Sequence, residues 1–132
     1  MDTVVTREFV RAVFARVRSS SGLPLLPKTI ENYTHRIMTL KNRGYFKHVN
    51  DPEILYSVLR LNYSNPVTVL TTMKTAAVFV SNLTEQEKAG FNVCSTQISE
   101  KYREKVTLLN IEVKDQQMKR VQGAQFFLGT TP

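Results

Sequence analysis

The sequence has one cysteine, no tryptophan and no long apolar run. The single Cys94 excludes an internal disulfide and any zinc site built from cysteines, and it fits a reducing intracellular compartment, the cytoplasm or the nucleus. No apolar stretch approaches the roughly 20 residues of a membrane-spanning helix. Disulfide-rich secreted proteins and membrane proteins are therefore not expected classes.

Motifs for catalysis and cofactor binding are also lacking. The patterns of phosphate-binding loops, dinucleotide sites, nucleophile elbows and zinc proteases do not occur. His35 and His48 are not spaced with Cys94 or with carboxylates as zinc ligands are. We therefore predict no cofactor, no metal, no small-molecule substrate and no enzymatic activity, and a small enzyme with an unrecognised site is the least favoured alternative.

Positive charge is what the chain has in excess. Eighteen lysines and arginines stand against eleven aspartates and glutamates, for a formal net charge of +7 and a pI of about 9.8. The length of 132 residues suits one domain with its own core. A domain this basic has polyanions as its default partners, with nucleic acid favoured over an acidic protein or a membrane surface.

The chain is organised around a helix predicted from Leu26 to about Gly44. Pro27 suits its first turn, and Gly44 suits a left-handed cap at its end. Apolar residues recur at helical spacing on one face, at Ile30, Tyr33, Ile37 and Leu40. The opposite face is predicted to carry Lys28, Asn32, His35, Arg36 and Lys41.

Helix start signals divide the rest of the chain. Asp51-Pro52 and Asn65-Pro66 each pair a cap with a first-turn proline, and Thr84 with Glu87 forms a capping box. The segment at 65–83 is rich in β-branched residues that would also suit a strand, but its length and alanines favour a helix. The helix between Val93 and Val121 is apolar on two sides, so it needs two partners.

These signals predict an all-α fold, a compact bundle of five to six helices. The predicted organisation is an N-terminal helix and linker at 1–22, a helical DNA-binding domain at 23–121 and a flexible tail at 122–132. The first helix, at about 3–18, carries arginines opposite an apolar stripe, as mitochondrial presequences do. Asp2 and Glu8 argue against that class, since such peptides avoid acids.

Basic and short polar side chains make the candidate binding surface. Such groups hydrogen-bond phosphate oxygens and base edges. The predicted DNA-binding residues on the organising helix are Lys28, Thr29, Asn32, Arg36, Lys41 and Arg43, and those at the 65–83 helix are Asn65, Thr68, Thr72 and Lys74.

The order of these features resembles a known family. The relevant runs are Pro27-Lys28-Thr29-Ile30-x-x-Tyr33, Asp51-Pro52-x-Ile54-Leu55 and Ser64-Asn65-Pro66, followed by Tyr102-Arg103-Glu104-Lys105 and Asp115-Gln116-Gln117-Met118-Lys119. Over residues 23–121 they resemble the core-binding, SAM-like domain of tyrosine recombinases, the phage integrase family, as in integrase-like proteins of large DNA viruses. The resemblance implies one half of a clamp around double-stranded DNA, with no catalytic activity of its own. The family's catalytic residues belong to a second domain, so we expect either a fragment or a stand-alone relative.

The main alternative is a helical protein-interaction or virion-type structural module. In that case the helix between Val93 and Val121 forms a homo-oligomer, and the positive charge condenses nucleic acid or only aids solubility. RNA binding is less favoured than DNA binding because most aromatic residues fall on apolar stripes rather than on a stacking surface.

Overall fold

The computed structural model describes residues 5–93 and 97–129, with residues 121–129 described by their backbone alone. Within that part of the chain six α-helices and one 3₁₀ turn form a bundle without a strand. They are α1 (Arg7–Ala15), α2 (Pro27–Asn42), the 3₁₀ turn Phe46–His48, α3 (Pro52–Asn62), α4 (Pro66–Ser81), α5 (Glu85–Gly90) and α6 (Gln97–Gly129). The predicted all-α fold class is confirmed.

Local capping chemistry sets the starts of three helices where the sequence predicts them. Asp51 accepts a hydrogen bond from the Ile54 N–H at 3.3 Å, and Asn65 accepts one from the Val67 N–H at 3.0 Å. Thr84 and Glu87 complete the predicted capping box of α5. Each side chain satisfies a backbone donor that has no partner inside its own helix.

The end of α2 is fixed by a left-handed glycine. Gly44 has a φ of +79°, and the N–H of Tyr45 reaches back to the Leu40 carbonyl at 2.9 Å while the Gly44 N–H donates to Lys41. This pair of bonds is a Schellman motif, which needs a residue without a Cβ at the turn. The chain is thereby directed from α2 into the 3₁₀ turn and α3.

Helix α4 lies at the centre of the bundle. It packs against α1, α2, α3 and α6, and eight of its residues are buried. Three threonines within it, Thr71, Thr72 and Thr75, satisfy their hydroxyls by donating to the carbonyl four residues earlier. Tertiary burial therefore decides the helix against the strand that its β-branched residues would also allow.

Several predicted boundaries and faces differ from the structure. Helix α1 is shorter than the expected 3–18, and α6 continues through residues 122–129, where an irregular tail was expected. The apolar residues of the helix that begins at Pro52 predict an inward face that includes Ile54 and Leu61, but both are exposed, Leu61 by 86%. Cys94 and residues 130–132 lie outside the described residues.

The second apolar side of α6 is not covered by the bundle. Leu108, Ile111 and Met118 are 48%, 61% and 59% exposed, while Leu109 on the other side is fully buried. Up to residue 120, Val113 is the last buried residue of α6, and residues 114–120 are all exposed. This segment of α6 thus projects beyond the core.

The N-terminal helix is joined to the bundle by an ion pair with Glu87. Both guanidinium nitrogens of Arg16 donate to this carboxylate, at 2.6 and 3.0 Å, and one also donates to the Asn82 carbonyl. The Arg16 hydrogen bond and the backbone N–H of Thr84 lower the pKa of Glu87 to about 2 from an ordinary 4.5. The stabilisation from this carboxylate is present above about pH 4.5 and is lost as the pH falls toward 2.

Replacing Glu87 therefore has a pH-dependent cost. We expect Glu87→Gln to lower the free energy of unfolding at pH 7 by about 1 kcal/mol, because a bidentate but partly exposed pair is lost. Urea unfolding at pH 7 and pH 2 measures the difference, which should nearly vanish at pH 2. Glu85→Gln, two residues earlier and 94% exposed, is the matched control; an undiminished difference at pH 2 contradicts the assignment.

A buried tyrosine connects α6 to the 3₁₀ turn. The Tyr102 hydroxyl donates to the Val49 carbonyl at 2.6 Å, and both residues are 2% exposed. Burial raises the pKa of this phenol, so the group stays neutral and continues to donate.

Removing the Tyr102 hydroxyl should weaken the attachment of α6. Tyr102→Phe leaves the Val49 carbonyl buried without its partner, so we expect a loss of about 1 to 3 kcal/mol in unfolding free energy. Tyr45→Phe is the control, because within the described residues the Tyr45 hydroxyl makes no hydrogen bond. Equal chemical-denaturation midpoints for the two variants would refute the role of the bond.

Candidate nucleic-acid interface

One side of α4 remains open to solvent, and two grooves run along it. Val67, Lys74 and Ser81 are exposed at intervals of seven residues, with half-buried Thr71 and Val78 between them. The groove beside the first half of α4 is walled by α2, and we call it the α2–α4 groove. The groove beside the second half is walled by α6, and we call it the α4–α6 groove.

The α2–α4 groove has a volume of about 390 Å³ and a cationic lining. It is lined by His35, Arg36, Thr39, Leu40, Arg43, Tyr63, Val67, Thr68, Thr71 and Thr72. Four of the ten predicted site residues meet here: Arg36, Arg43, Thr68 and Thr72. No carboxylate is among the lining residues, so the two guanidinium charges are not neutralised from within the groove.

Tyrosine rings hold both arginines of this groove. The guanidinium of Arg36 lies 5.5 Å from the Tyr33 ring centre, and that of Arg43 lies 5.2 Å from the Tyr63 ring centre. Arg36 also donates to the Thr75 hydroxyl at 3.2 Å. Stacking positions a guanidinium without cancelling its charge, which leaves donors available for an anion.

The threonines of the groove differ in what they can offer a ligand. The hydroxyls of Thr39, Thr71 and Thr72 donate to carbonyls of their own helices, so they present only acceptor lone pairs. The hydroxyl of Thr68 makes no hydrogen bond within the described residues. Thr68 is therefore the one threonine of this lining that can donate to a phosphate oxygen or a base edge.

Lys41 does not share the face on which the sequence analysis placed it. Its ammonium group donates to the Val5 carbonyl at 2.6 Å and fastens the start of the chain to α2. A residue 13 positions after Lys28 falls on the far side of an ideal helix, because 3.6 residues complete each turn. The predicted grouping of Lys41 with Arg36 is wrong.

The other predicted residues lie outside the α2–α4 groove. Lys28 and Asn32 are exposed and Thr29 is half-buried, all toward the start of α2. The Asn65 side-chain oxygen is occupied in capping α4, although its amide can still donate. Lys74 lines the α4–α6 groove instead.

The α4–α6 groove is larger and mainly apolar. Its volume is about 430 Å³, and its lining includes Ala77, Val78 and Val106, with Tyr33 at the side. Lys74 of α4 and Arg103 of α6 are its two cationic residues. This chemistry suits an apolar group with a neighbouring negative charge better than it suits a phosphate backbone.

Ion pairing sets the five predicted site cations apart from seven of the thirteen other lysines and arginines. Within the described residues, seven other lysines and arginines are paired with carboxylates: Arg11, Arg16, Arg60, Lys88, Arg103, Lys105 and Lys119. None of Lys28, Arg36, Lys41, Arg43 and Lys74 forms such a pair there. Four of these five, Arg36, Lys41, Arg43 and Lys74, lie within residues 32–50 or 54–84, which contain no aspartate or glutamate, so no acid is near them in the sequence.

Six lining residues of the α2–α4 groove were not predicted as site residues, and four of them are polar: His35, Thr39, Tyr63 and Thr71. His35 and Thr39 precede Arg43 at four-residue steps on α2, so their helical spacing could have indicated them. Thr71 is the sequence neighbour of the predicted Thr72, so it too could have been indicated. Tyr63 comes from the end of α3, and no sequence pattern indicates that it contacts Arg43.

Other kinds of site find no support in the described part of the chain. There, no three histidine, cysteine, aspartate or glutamate side chains come together to hold a metal ion. None of the helices described combines the length and apolar composition needed to cross a bilayer. No protein-family model, curated protein or solved structure matches the chain.

The placement of Lys41 leads to a stability prediction. Lys41→Ala removes the bond to the Val5 carbonyl, so we expect the unfolding free energy to fall by about 0.5 to 1.5 kcal/mol. Lys28→Ala removes the same charge from α2 without breaking a bond within the described residues and should change stability by less. Thermal unfolding of the two variants compares them; equal stability would contradict the structural role of Lys41.

Proposed function

We propose that this protein binds double-stranded DNA through the face formed by α2 and α4. It acts as a helical DNA-binding domain of the tyrosine recombinase type, without catalytic activity of its own. Lys28, Arg36 and Arg43 neutralise phosphates, while Asn32, Thr68 and Thr72 make shorter-range polar contacts. The ammonium group of Lys41 stays bonded to the start of the chain and adds only its charge.

The single observation that carries this proposal is the absence of carboxylate partners for the candidate cations within the described residues. An arginine that already pairs with a carboxylate must break that pair before it can bind a phosphate. Arg36 and Arg43 have no such cost, and their stacking on Tyr33 and Tyr63 reduces the rotamer entropy lost on binding. An uncompensated cationic groove also attracts polyanions over a distance.

The chemistry of the α2–α4 groove favours contacts with the phosphate backbone of a duplex over stacking contacts with the unpaired bases of a single strand. Its arginines can donate two parallel hydrogen bonds to phosphate oxygens, and Thr68 adds a hydroxyl donor. The rings of Tyr33 and Tyr63 carry arginines on their faces and are only half exposed. They are therefore poorly placed to stack on unpaired bases, the usual anchor of single-strand binding.

DNA binding can be tested by the fluorescence anisotropy of a labelled duplex of about 30 base pairs. If Lys28, Arg36 and Arg43 each neutralise one phosphate, log K should fall with log salt at a slope of about −3. Arg36→Ala and Arg43→Ala should each weaken binding to every sequence and reduce the slope by about one. The double variant should reduce it by about two, because each contact releases its own counterion.

Lys101→Ala serves as the control, because it removes one exposed charge from α6 and leaves the α2–α4 groove intact. It should change the slope by less than either arginine variant. Single-stranded DNA and RNA serve as competitors and should displace the duplex poorly. A salt-independent affinity, or equal effects of Lys101→Ala and Arg43→Ala, would argue against the proposed interface.

A second candidate function is self-association through α6. The exposed Leu108, Ile111 and Met118 favour it, since apolar side chains gathered on one side of a projecting helix are typical of interaction surfaces. This function is compatible with DNA binding because it uses a different side of the molecule from the α2–α4 groove.

A further inference from the structure

We infer that copies of this chain associate head to tail, with the outer strip of α6 from one copy seated in the α4–α6 groove of the next. We define the outer strip by Glu104, Leu108, Ile111, Asp115 and Met118. This inference rests on the second candidate function, which it makes specific, and it is independent of DNA binding.

The outer strip is an acidic amphipathic helix face. Its members follow each other at intervals of three or four residues, so they lie on one side of α6. Leu108, Ile111 and Met118 supply the apolar part, and all five side chains are exposed. Glu104 and Asp115 supply negative charge, and the one ion pair of Asp115 is with Lys119 on the solvent side of the same helix.

The α4–α6 groove is the chemical complement of this strip. Its half-buried aliphatic walls, Ala77, Val78 and Val106, would be covered by apolar side chains of a docked helix. Lys74 has no carboxylate partner within the described residues. Arg103 has only Glu100, one turn away on an exposed surface at 3.5 Å, and such pairs contribute little.

The strip and the groove of one molecule cannot meet each other. Arg103 and Asp115 lie on the same rigid helix, about 18 Å apart by the rise of 1.5 Å per residue. A second copy is therefore the source of the strip. An open groove also suits a helix presented from outside, since a small ligand needs to bury most of its own surface to bind tightly.

The symmetry of this contact decides the size of the assembly. Two different surfaces meet, so the contact is heterologous, and each added copy leaves one free groove and one free strip. The assembly grows by single copies unless it closes into a ring. The α2–α4 groove lies beside the first half of α4, away from this contact, and stays accessible in every copy.

Sedimentation equilibrium of the full chain without DNA is the test. The weight-average mass should rise beyond twice the monomer mass of 15.1 kDa as the protein concentration increases.

Two double variants test the two surfaces. The groove variant is Lys74→Glu with Arg103→Glu, and the strip variant is Ile111→Ser with Asp115→Lys. Each should associate at least about tenfold more weakly by mass action. All four positions are exposed, and circular dichroism checks that both variants fold. Lys47→Glu is the control for a charge change elsewhere.

Mixing the two variants gives the sharpest outcome. The groove variant keeps a normal strip and the strip variant keeps a normal groove, so an equimolar mixture should form a heterodimer and nothing larger. A mixture that stays monomeric, or variants that associate like the wild type, would overturn the inference while leaving self-association itself intact. A wild-type mass that stops at the dimer and is unchanged in the groove variant would exclude the head-to-tail contact. A wild type that remains monomeric would exclude both, whatever its DNA affinity.

Discussion

The structure depends on the burial of α4 by four other helices. Its valine, alanine and threonine side chains are short, its larger Met73 and Phe79 are fully buried, and the hydroxyls of Thr71, Thr72 and Thr75 are satisfied within the helix. No acidic residue occurs on it, so burial meets no unpaired negative charge. The same composition leaves its one open side without carboxylates, and both grooves share that side. The composition of one helix therefore both allows its burial in the core and leaves the grooves on its open side without negative charge.

Peripheral helices are attached by contacts of a different kind. Arg16 with Glu87, Lys41 with Val5 and Tyr102 with Val49 each join segments far apart in the chain. Only the bond of Tyr102 is fully buried. The outer attachments therefore depend on solvent conditions, whereas the contacts between α4 and its neighbours are mainly apolar and depend on packing.

Local signals predicted more of this structure than long-range ones. The starts at Pro52, Pro66 and Glu85 follow from caps that act within four residues, so the sequence alone indicates them. The central helix α4 was the one helix whose sequence would also suit a strand, because it is rich in β-branched residues and only tertiary packing decides between the two. Ile54 and Leu61 were misassigned because apolar character does not reveal which side a neighbour covers. For the candidate site, the sequence indicated the arginines, but only the fold reveals their stacking on Tyr33 and Tyr63 and the separation of Lys41 from them.

The open side of α4 also affects the rate at which ligands associate. A helix held by neighbours along its length cannot shift when something docks on its exposed side, so the walls of both grooves are already in place before an encounter. Ligands of such a surface are selected by shape and charge on first contact rather than by rearrangement of the protein, and their association rates should depend on diffusion and ionic strength. Two occupants on the same rigid helix would then bind without influencing each other's affinity except through their charges.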